Sequence, residues 1–197
     1  MSIVNLVSGG LDSTLVGVML KEEGAIQFPL FIDYGQKSSK KEWQTCQSVH
    51  HTLKLPEPQR MDLSGYGSVI LSGLTSDKHD VEAEAFTPGR NLLFLVMASA
   101  YAYQVGASGI SIGLLSEEFS IFPDQKLSFI ENTEKTIELA LGRKIKIVTP
   151  LFDLRKIDVV KLTESKGITG TYSCHLGEDE PCGNCIACLE YSFKEVE

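Results

Sequence analysis

The chain has 197 residues, of which 43% are apolar, and its formal net charge is −8. That length and apolar content are enough for one substantial core, so we expect a single domain with a small appendage. The acidic balance argues against a nucleic-acid partner, because a surface that follows phosphates normally carries clustered lysine and arginine. The longest apolar stretch, from Leu92 to Ala102, is too short to cross a bilayer, which takes about 20 residues. We therefore expect no membrane partner.

Apolar, β-branched segments alternate with longer segments of helical period along the chain. The predicted strands are 2–7, 26–33, 58–63, 108–113 and 145–149, and the predicted helices are 13–23, 38–54, 91–105, 127–141 and 154–166. This alternation is typical of an α/β fold, in which a parallel sheet is covered by helices on both faces. Residues 64–89 lack a periodic pattern and are expected to form a mobile lid or an irregular excursion.

The most informative motif joins the first predicted strand to the first predicted helix, and it reads SGGLDST from Ser8 to Thr14. Gly9 and Gly10 let backbone N–H groups approach an anion closely, and the following helix offers unpaired N–H groups and the positive end of its dipole. The hydroxyls of the two serines and the threonine add further donors. The motif therefore predicts a phosphate cradle, although it lacks the lysine of the G-x-x-x-x-G-K-[ST] loop. The alternative is a plain turn in which Asp12 or Ser13 caps the helix.

Polar segments also follow two other predicted strands. In open parallel sheets, ligands bind beyond the carboxyl ends of the strands, at the point where the crossover direction reverses. Asp33 to Gln36 and Gly113 to Ser116 each follow a predicted strand, as the cradle does. We therefore expect all three segments to meet in one crevice.

Four of the five cysteines are crowded near the end of the sequence, as Cys174, Cys182, Cys185 and Cys188. The predicted N-terminal strand leaves no room for a signal or transit peptide, so a cytoplasmic location is expected, where cysteines bind metals more often than they form disulfides. Four thiolates suit a tetrahedral zinc ion that clamps the tail. An iron–sulfur cluster and four unpaired buried thiols are the alternatives, and His175 is a rival ligand.

The first loop and the cysteine cluster together resemble the 7-cyano-7-deazaguanine synthase family, which belongs to the ATP pyrophosphatases that cleave ATP between its α and β phosphates. The resemblance covers nearly the whole chain, and its further segments are Asp33 to Gln36, Phe86 to Asn91, Tyr101 to Ala107 and Thr149 to Leu151. It implies a Rossmann-like sheet of the adenine-nucleotide α-hydrolase (PP-loop) type. It also implies a nucleotide-binding domain over 1–170, a zinc-binding appendage over 171–197, and a homodimer.

The resemblance implies that the protein is an ATP- and Mg²⁺-dependent ligase. The carboxylate of 7-carboxy-7-deazaguanine would attack the α-phosphate of ATP, and ammonia would displace AMP to give an amide and then, after a second activation, a nitrile. Asp12 would bind the metal or organise the loop. Arg90 would pair with phosphate or with the substrate carboxylate, and Asn91 would cap a helix or touch substrate.

The resemblance assigns the site residues as follows. The catalytic residues would be Ser8, Asp12, Ser13 and Arg90. The ATP-binding residues would be Val7, Ser8, Gly9, Gly10, Leu11, Asp12, Ser13, Thr14, Asp33, Tyr34, Gly35, Gln36, Arg90, Asn91 and Gly113. The wall that recognises the base would contain Glu118, Phe119, Ser120, Phe122 and Asp124.

The base-recognition wall departs from the family pattern at three positions. Ile121 stands where the family has glycine, Gln125 where it has cysteine, and Ser116 where it has an acidic residue. These changes favour an alternative in which a diverged member attaches the deazaguanine to an amine of a partner protein in antiviral defence. A nucleotide-binding or zinc module without activity and a pyrophosphatase that modifies transfer RNA are more distant alternatives.

Overall fold

The computed structural model describes residues 1–81, 83–116, 118 and 122–189. Its sheet has five parallel strands in the order β3-β2-β1-β4-β5. The strands are β1 (Ser2–Leu6), β2 (Ile26–Asp33), β3 (Gln59–Asp62), β4 (Gly109–Ser111) and β5 (Lys146–Val148). The parallel sheet predicted from the sequence is therefore confirmed, and all five predicted strands are present.

The described residues contain seven α-helices and a 3-10 helix at Pro123–Gln125. The α-helices are α1 (Leu11–Glu22), α2 (Ser39–Thr52), α3 (Gly65–Val69), α4 (Arg90–Val105), α5 (Leu127–Leu141), α6 (Lys156–Ser165) and α7 (Ile186–Leu189). Helix α1 begins two residues earlier than predicted, because the N–H of Thr14 already bonds to the carbonyl of Gly10 at 3.1 Å. The predicted irregular segment 64–89 contains the short helix α3 and several turns.

Helices cover both faces of the sheet. Successive side chains of a strand point to opposite faces, so neighbouring residues of one strand pack in different clusters. In β1, Ile3 packs in one hydrophobic cluster with α1 and α6, and Val4 packs in another with α4 and α5; both side chains are fully buried. Each face therefore has its own core. The two cores hold the central strand rigidly, which fixes the loop that follows it.

The strand order places the reversal of the crossover direction between β1 and β4. The chain runs from β1 outward through β2 to β3, and then returns to the other side of β1 to add β4 and β5. A crevice therefore opens beyond the carboxyl ends of β1 and β4, where open α/β sheets bind ligands.

None of the helices that the structure describes combines the length and the apolar character that a bilayer-crossing span requires.

Candidate active site

The loop after β1 is shaped by its own hydroxyl groups. The N–H of Ser8 donates to Oγ of Ser13 at 3.2 Å, and the N–H of Gly10 donates to Oγ of Ser8 at 3.2 Å. The two hydroxyls are 3.1 Å apart, and that of Ser13 also donates to the carbonyl of Gly10 at 3.3 Å. The predicted cradle is thus a turn at the N-terminus of α1 that is closed by hydrogen bonds among Ser8, Gly10 and Ser13.

Gly9 is held between two other parts of the chain. Its φ is +78°, and a Cβ there would lie 2.6 Å from the backbone nitrogen of Cys46 and 2.9 Å from the carbonyl oxygen of Glu42. On the other side, the carbonyl of Gly9 accepts a hydrogen bond from the N–H of Tyr172 at 3.0 Å. Helix α2 therefore approaches the loop more closely than a side chain at position 9 would allow, and the C-terminal segment is hydrogen-bonded to the loop backbone.

An ammonium group reaches the loop from a distant part of the sequence. Nζ of Lys156, the first residue of α6, lies 2.9 Å from each carboxylate oxygen of Asp12, and only 13% of the lysine side chain is exposed. Lys156 was not among the site residues predicted from the sequence. Its signal was a lysine at the start of a predicted helix at the same edge of the sheet, and such a signal is too common to single out one lysine.

Two adjoining cavities open on this loop. The first, of about 260 Å³, lies over the ends of β1, β2 and β4 and is lined by residues such as Phe31, Ile112 and Gly113. The second, of about 340 Å³, faces the C-terminal segment and is lined by residues such as Lys156 and His175. The residues that line both cavities are Ser8, Asp12, Ser13, Tyr34, Glu42, Arg90, Phe94 and Gln125.

Some residues at the end of β2 and just after it line the first cavity, and others shape the turn. Tyr34 and Gln36 line the first cavity, but the buried carboxylate of Asp33 bonds to Arg60 at 2.5 Å and to the N–H of Gly35 at 3.0 Å. Gln36 also accepts the N–H of Tyr34 at 2.9 Å through its side chain. Asp33 and Gly35 therefore shape the turn rather than line either cavity.

Glu42 and Arg90 bring opposite charges to the region common to both cavities. The carboxylate of Glu42 accepts hydrogen bonds from Nε2 of Gln36 at 2.9 Å and from Oγ of Ser38 at 2.8 Å. Burial raises the pKa of Glu42 above its usual range. The guanidinium of Arg90 lies 5.8 Å from the centre of the Tyr34 ring. Within the described part of the chain, neither charge has an ion-pair partner.

The predicted base-recognition wall is only partly described. Phe122 lines the second cavity and packs against Phe86 with ring centres 5.0 Å apart. The carbonyl of Asp124 accepts a hydrogen bond from Nδ2 of Asn91 at 3.2 Å, so Asn91 tethers this wall and does not cap α4, whose first flanking residue is Gly89. Glu118 is exposed and lines neither cavity. Phe119 and Ser120 lie outside the described residues.

The four clustered cysteines come together as predicted. All four sulfurs lie within 4.8 Å of one another, and N–H groups of Cys182 and Cys185 donate to the sulfurs of Cys174 and Cys182 at 3.4 Å each. Tetrahedral zinc with Zn–S bonds of about 2.3 Å would place its sulfurs about 3.8 Å apart. The cluster therefore fits a metal ion. His175 is not part of the cluster, and burial lowers the pKa of its ring to about 4.

The cysteine-rich segment covers the loop and α2. A Cβ on Gly10 would meet Oγ of Ser173 at 3.2 Å, and a Cβ on Gly177 would lie 2.7 Å from Cα of Ser38. Asp179 pairs with Nζ of Lys41 at 2.8 Å. The cysteine cluster thus lies in a segment that forms one side of the second cavity.

Comparison with known proteins identifies the family of this chain. The sequence model of the family described as "Queuosine biosynthesis protein QueC" matches residues 2–195. The 7-cyano-7-deazaguanine synthase of Acetivibrio thermocellus is 33% identical over 94% of this chain and 89% of its own length. The synthase of Campylobacter curvus is 35% identical over 94% and 88%.

Two solved structures share the fold at low sequence identity. A "predicted subunit of tRNA methyltransferase" from Methanocaldococcus jannaschii has a TM-score of 0.57 at 19% identity, covering 83% of this chain and 74% of its own. The NMN synthetase of Francisella tularensis has a TM-score of 0.54 at 15% identity, covering 92% and 70%.

We predict that Gly9→Ala disrupts the loop, whereas Gly24→Ala, at a glycine of similar φ (+71°) with open space around it, does not. Both substitutions carry the strain of a left-handed residue, about 1–2 kcal/mol. Only the first also forces α2 away from the loop. Urea unfolding and calorimetric titration with a non-hydrolysable ATP analogue should give a larger loss of stability and of binding for Gly9→Ala. Equal losses in the two variants would contradict the packing constraint.

Proposed function

The chain belongs to the QueC family, and on that basis we propose that it is an ATP-dependent carbon–nitrogen ligase acting on 7-carboxy-7-deazaguanine. In this proposal the carboxylate is first adenylated with release of pyrophosphate, and ammonia then displaces AMP to give the amide and, after a second round, the nitrile. One observation carries the proposal: Ser8, Asp12 and Ser13 line both adjoining cavities. A nucleotide in one cavity and an acid in the other would therefore meet at the same atoms.

The phosphate loop supplies the donors that adenylation needs. A carboxylate accepts nitrogen poorly because oxide is a poor leaving group, whereas AMP leaves readily once the charge that builds on the β and γ phosphates is neutralised. The N–H groups at the start of α1 and the hydroxyls of Ser8 and Ser13 would contact those phosphates. Lys156 would add the positive charge that the motif itself lacks.

Asp12 is the residue that would hold Mg²⁺, since a carboxylate oxygen beside the phosphates is the ligand that this ion prefers. When bound, the ion supplies positive charge to the phosphate oxygens. In the structure, Lys156 neutralises Asp12, so the carboxylate does not repel an incoming triphosphate. We propose that the ammonium then shifts toward phosphate oxygen.

Arg90 would orient the acid. Its guanidinium is held by the rings of Tyr34 and Phe94, at 5.8 and 6.0 Å from their centres, and it lines both cavities. A guanidinium fork matches either a carboxylate or a phosphate. Either contact would align the nucleophilic oxygen with the α-phosphate.

The nitrogen acceptor distinguishes the proposed function from its alternative, in which an amine of a partner protein captures the same acyl-adenylate. The curated relatives that match most of the chain are named as synthases of a small molecule, which favours ammonia. Gln125, where the family pattern has cysteine, lines both cavities and is the described residue that would adapt the wall to a different acceptor. The homodimer, the cytoplasmic location and the division at residue 170 stay predictions.

We further propose that the four cysteines hold structural zinc. Four thiolates complete its coordination and leave no position for substrate, so the ion would act as a clamp and not as a catalyst. The segment it ties down includes Tyr172, which bonds to Gly9. Loss of zinc would therefore loosen the loop as well as the tail.

The proposed activity predicts the products of one incubation. With ATP, Mg²⁺, 7-carboxy-7-deazaguanine and ammonium, mass spectrometry should detect AMP, pyrophosphate and the amide or nitrile of the base. AMP release that requires an added partner protein, with the base appearing on that protein, would support the alternative. AMP formation under neither condition would refute both.

Asp12→Ala and Lys156→Met should each abolish or strongly reduce AMP formation without unfolding the chain, because both side chains are partly exposed at the loop. Removal of one such charged contact in a preorganised site costs on the order of 10²-fold in rate. Lys166→Met, which breaks an ion pair with Glu22 on the surface, is the matched control. Turnover at the wild-type rate in either site variant would contradict these roles.

Cys185→Ser should lower zinc content and thermal stability together. A loss of 1–2 kcal/mol shifts the melting temperature of a chain of this size by about 2–8 °C, and a lost structural zinc exceeds that loss. Cys46→Ser, at a buried cysteine outside the cluster, should leave zinc content unchanged. Atomic absorption and differential scanning fluorimetry provide the measurements; full zinc content in Cys185→Ser would exclude the proposed site.

A further inference from the structure

The two cavities share two carboxylates, and among the described residues only that of Asp12 forms a salt bridge. Asp12 is bound through both oxygens by Lys156. Glu42 receives hydrogen bonds from the neutral groups of Gln36 and Ser38 alone, so its negative charge has no ion-pair partner in the described part of the chain. Burial raises the pKa of Glu42, whereas the hydrogen bonds from Gln36 and Ser38 and the charge of Arg90 oppose that rise by favouring the carboxylate. A carboxylate that lines both cavities can bind a cationic ligand there.

Glu42 is fixed in position relative to the phosphate loop. Its carbonyl oxygen is one of the atoms that would stand only 2.9 Å from a Cβ on Gly9, so the first turns of α2 rest directly on the loop. Each carboxylate oxygen accepts one hydrogen bond from the protein, from Gln36 or from Ser38. Each oxygen keeps a further lone pair for a ligand in the cavity.

The charged groups that act on Glu42 include Arg90 and Asp33. Arg90 is held by the rings of Tyr34 and Phe94, and its charge favours the ionised form of Glu42. In the part of the chain that the structure describes, the two groups form no salt bridge, so the carboxylate oxygens of Glu42 are not blocked by the guanidinium. Asp33, the other nearby carboxylate, is already paired with Arg60. Glu42 is therefore the described carboxylate in this region that remains available to a cation from solution.

We propose that Glu42 binds the nitrogen donor as ammonium, beside the phosphate loop, and takes the proton that this donor must lose before it attacks. This inference rests on the proposed ligase function and names the site of its second substrate. Ammonium, like the side chain of lysine, is protonated at pH 7 and has no free electron pair. A nearby carboxylate both concentrates the cation and supplies the base for its activation.

The proposed step transfers nitrogen from ammonium to the acyl carbon of the adenylate. Glu42 accepts one proton from ammonium, and the resulting ammonia forms a C–N bond with the acyl carbon of the adenylate. The C–O bond to AMP then breaks, AMP leaves with the electron pair of that bond, and the second nitrogen proton passes to solvent. The products are the amide, AMP and two protons, of which one is carried by Glu42 until it exchanges with water.

The experiment compares two nucleophiles in Glu42→Gln. Hydroxylamine is neutral at pH 7 and traps acyl-adenylates as hydroxamates without prior loss of a proton. Amide formation from ammonium should fall by about 10²-fold, as for loss of a general base. Hydroxamate formation should change by less than about tenfold. The exchange of pyrophosphate into ATP that requires 7-carboxy-7-deazaguanine should also change by less than about tenfold. Glu22→Gln, at a surface ion pair, is the control that should leave all three rates unchanged.

Glu42→Asp, which keeps the charge, should retain more activity with ammonium than Glu42→Gln and guards against a fold defect. Equal losses with both nucleophiles, loss of the exchange reaction, or an unchanged rate with ammonium would each overturn the proposal. If the wild-type protein does not exchange pyrophosphate into ATP in the presence of 7-carboxy-7-deazaguanine, the proposed ligase function itself is wrong. That result is distinct from every outcome for the Glu42 variants.

Discussion

The close packing of α2 against Gly9 is the constraint on which the site depends. Because Gly9 has no side chain, the backbone of α2 reaches the loop at a distance that a Cβ would forbid. The same contact fixes the position of Glu42 beside the loop, where Glu42 lines both cavities. The hydrophobic cores on the two faces of the sheet hold β1 in place, so the loop that follows it has a rigid support.

The distribution of charge around this contact separates two tasks. Asp12 and Lys156 neutralise each other at the start of α1, where a phosphate would bind. Glu42 and Arg90, by contrast, line the shared region without a salt bridge to any described residue, although the charge of each favours the ionised form of the other. In the reaction that we propose, the first pair would serve the nucleotide, and the second pair would serve the acid and the nitrogen donor. One small region would then activate an acid and aminate it without moving the intermediate.

Local patterns made the fold predictable, and distant contacts limited what the sequence indicated about the site. Helix α5 has the predicted bounds because its apolar period and its terminal glycine are local signals. The cysteines meet because their spacing is short. Lys156 lies 144 residues from Asp12, and no local pattern distinguishes it from other lysines. Asn91 was left between two roles, and only the contact with Asp124 assigns it to the wall.

The hydrogen bond between Tyr172 and Gly9 joins a part of the chain that is made early to one that is made late. During translation, the first loop leaves the ribosome long before the cysteine-rich segment that covers it. The contact from Tyr172 to the loop can form only after the cysteine-rich segment has been made. Completion of the cradle would therefore come late in synthesis and, if the cysteines hold the proposed zinc, would depend on the supply of that metal in the cell.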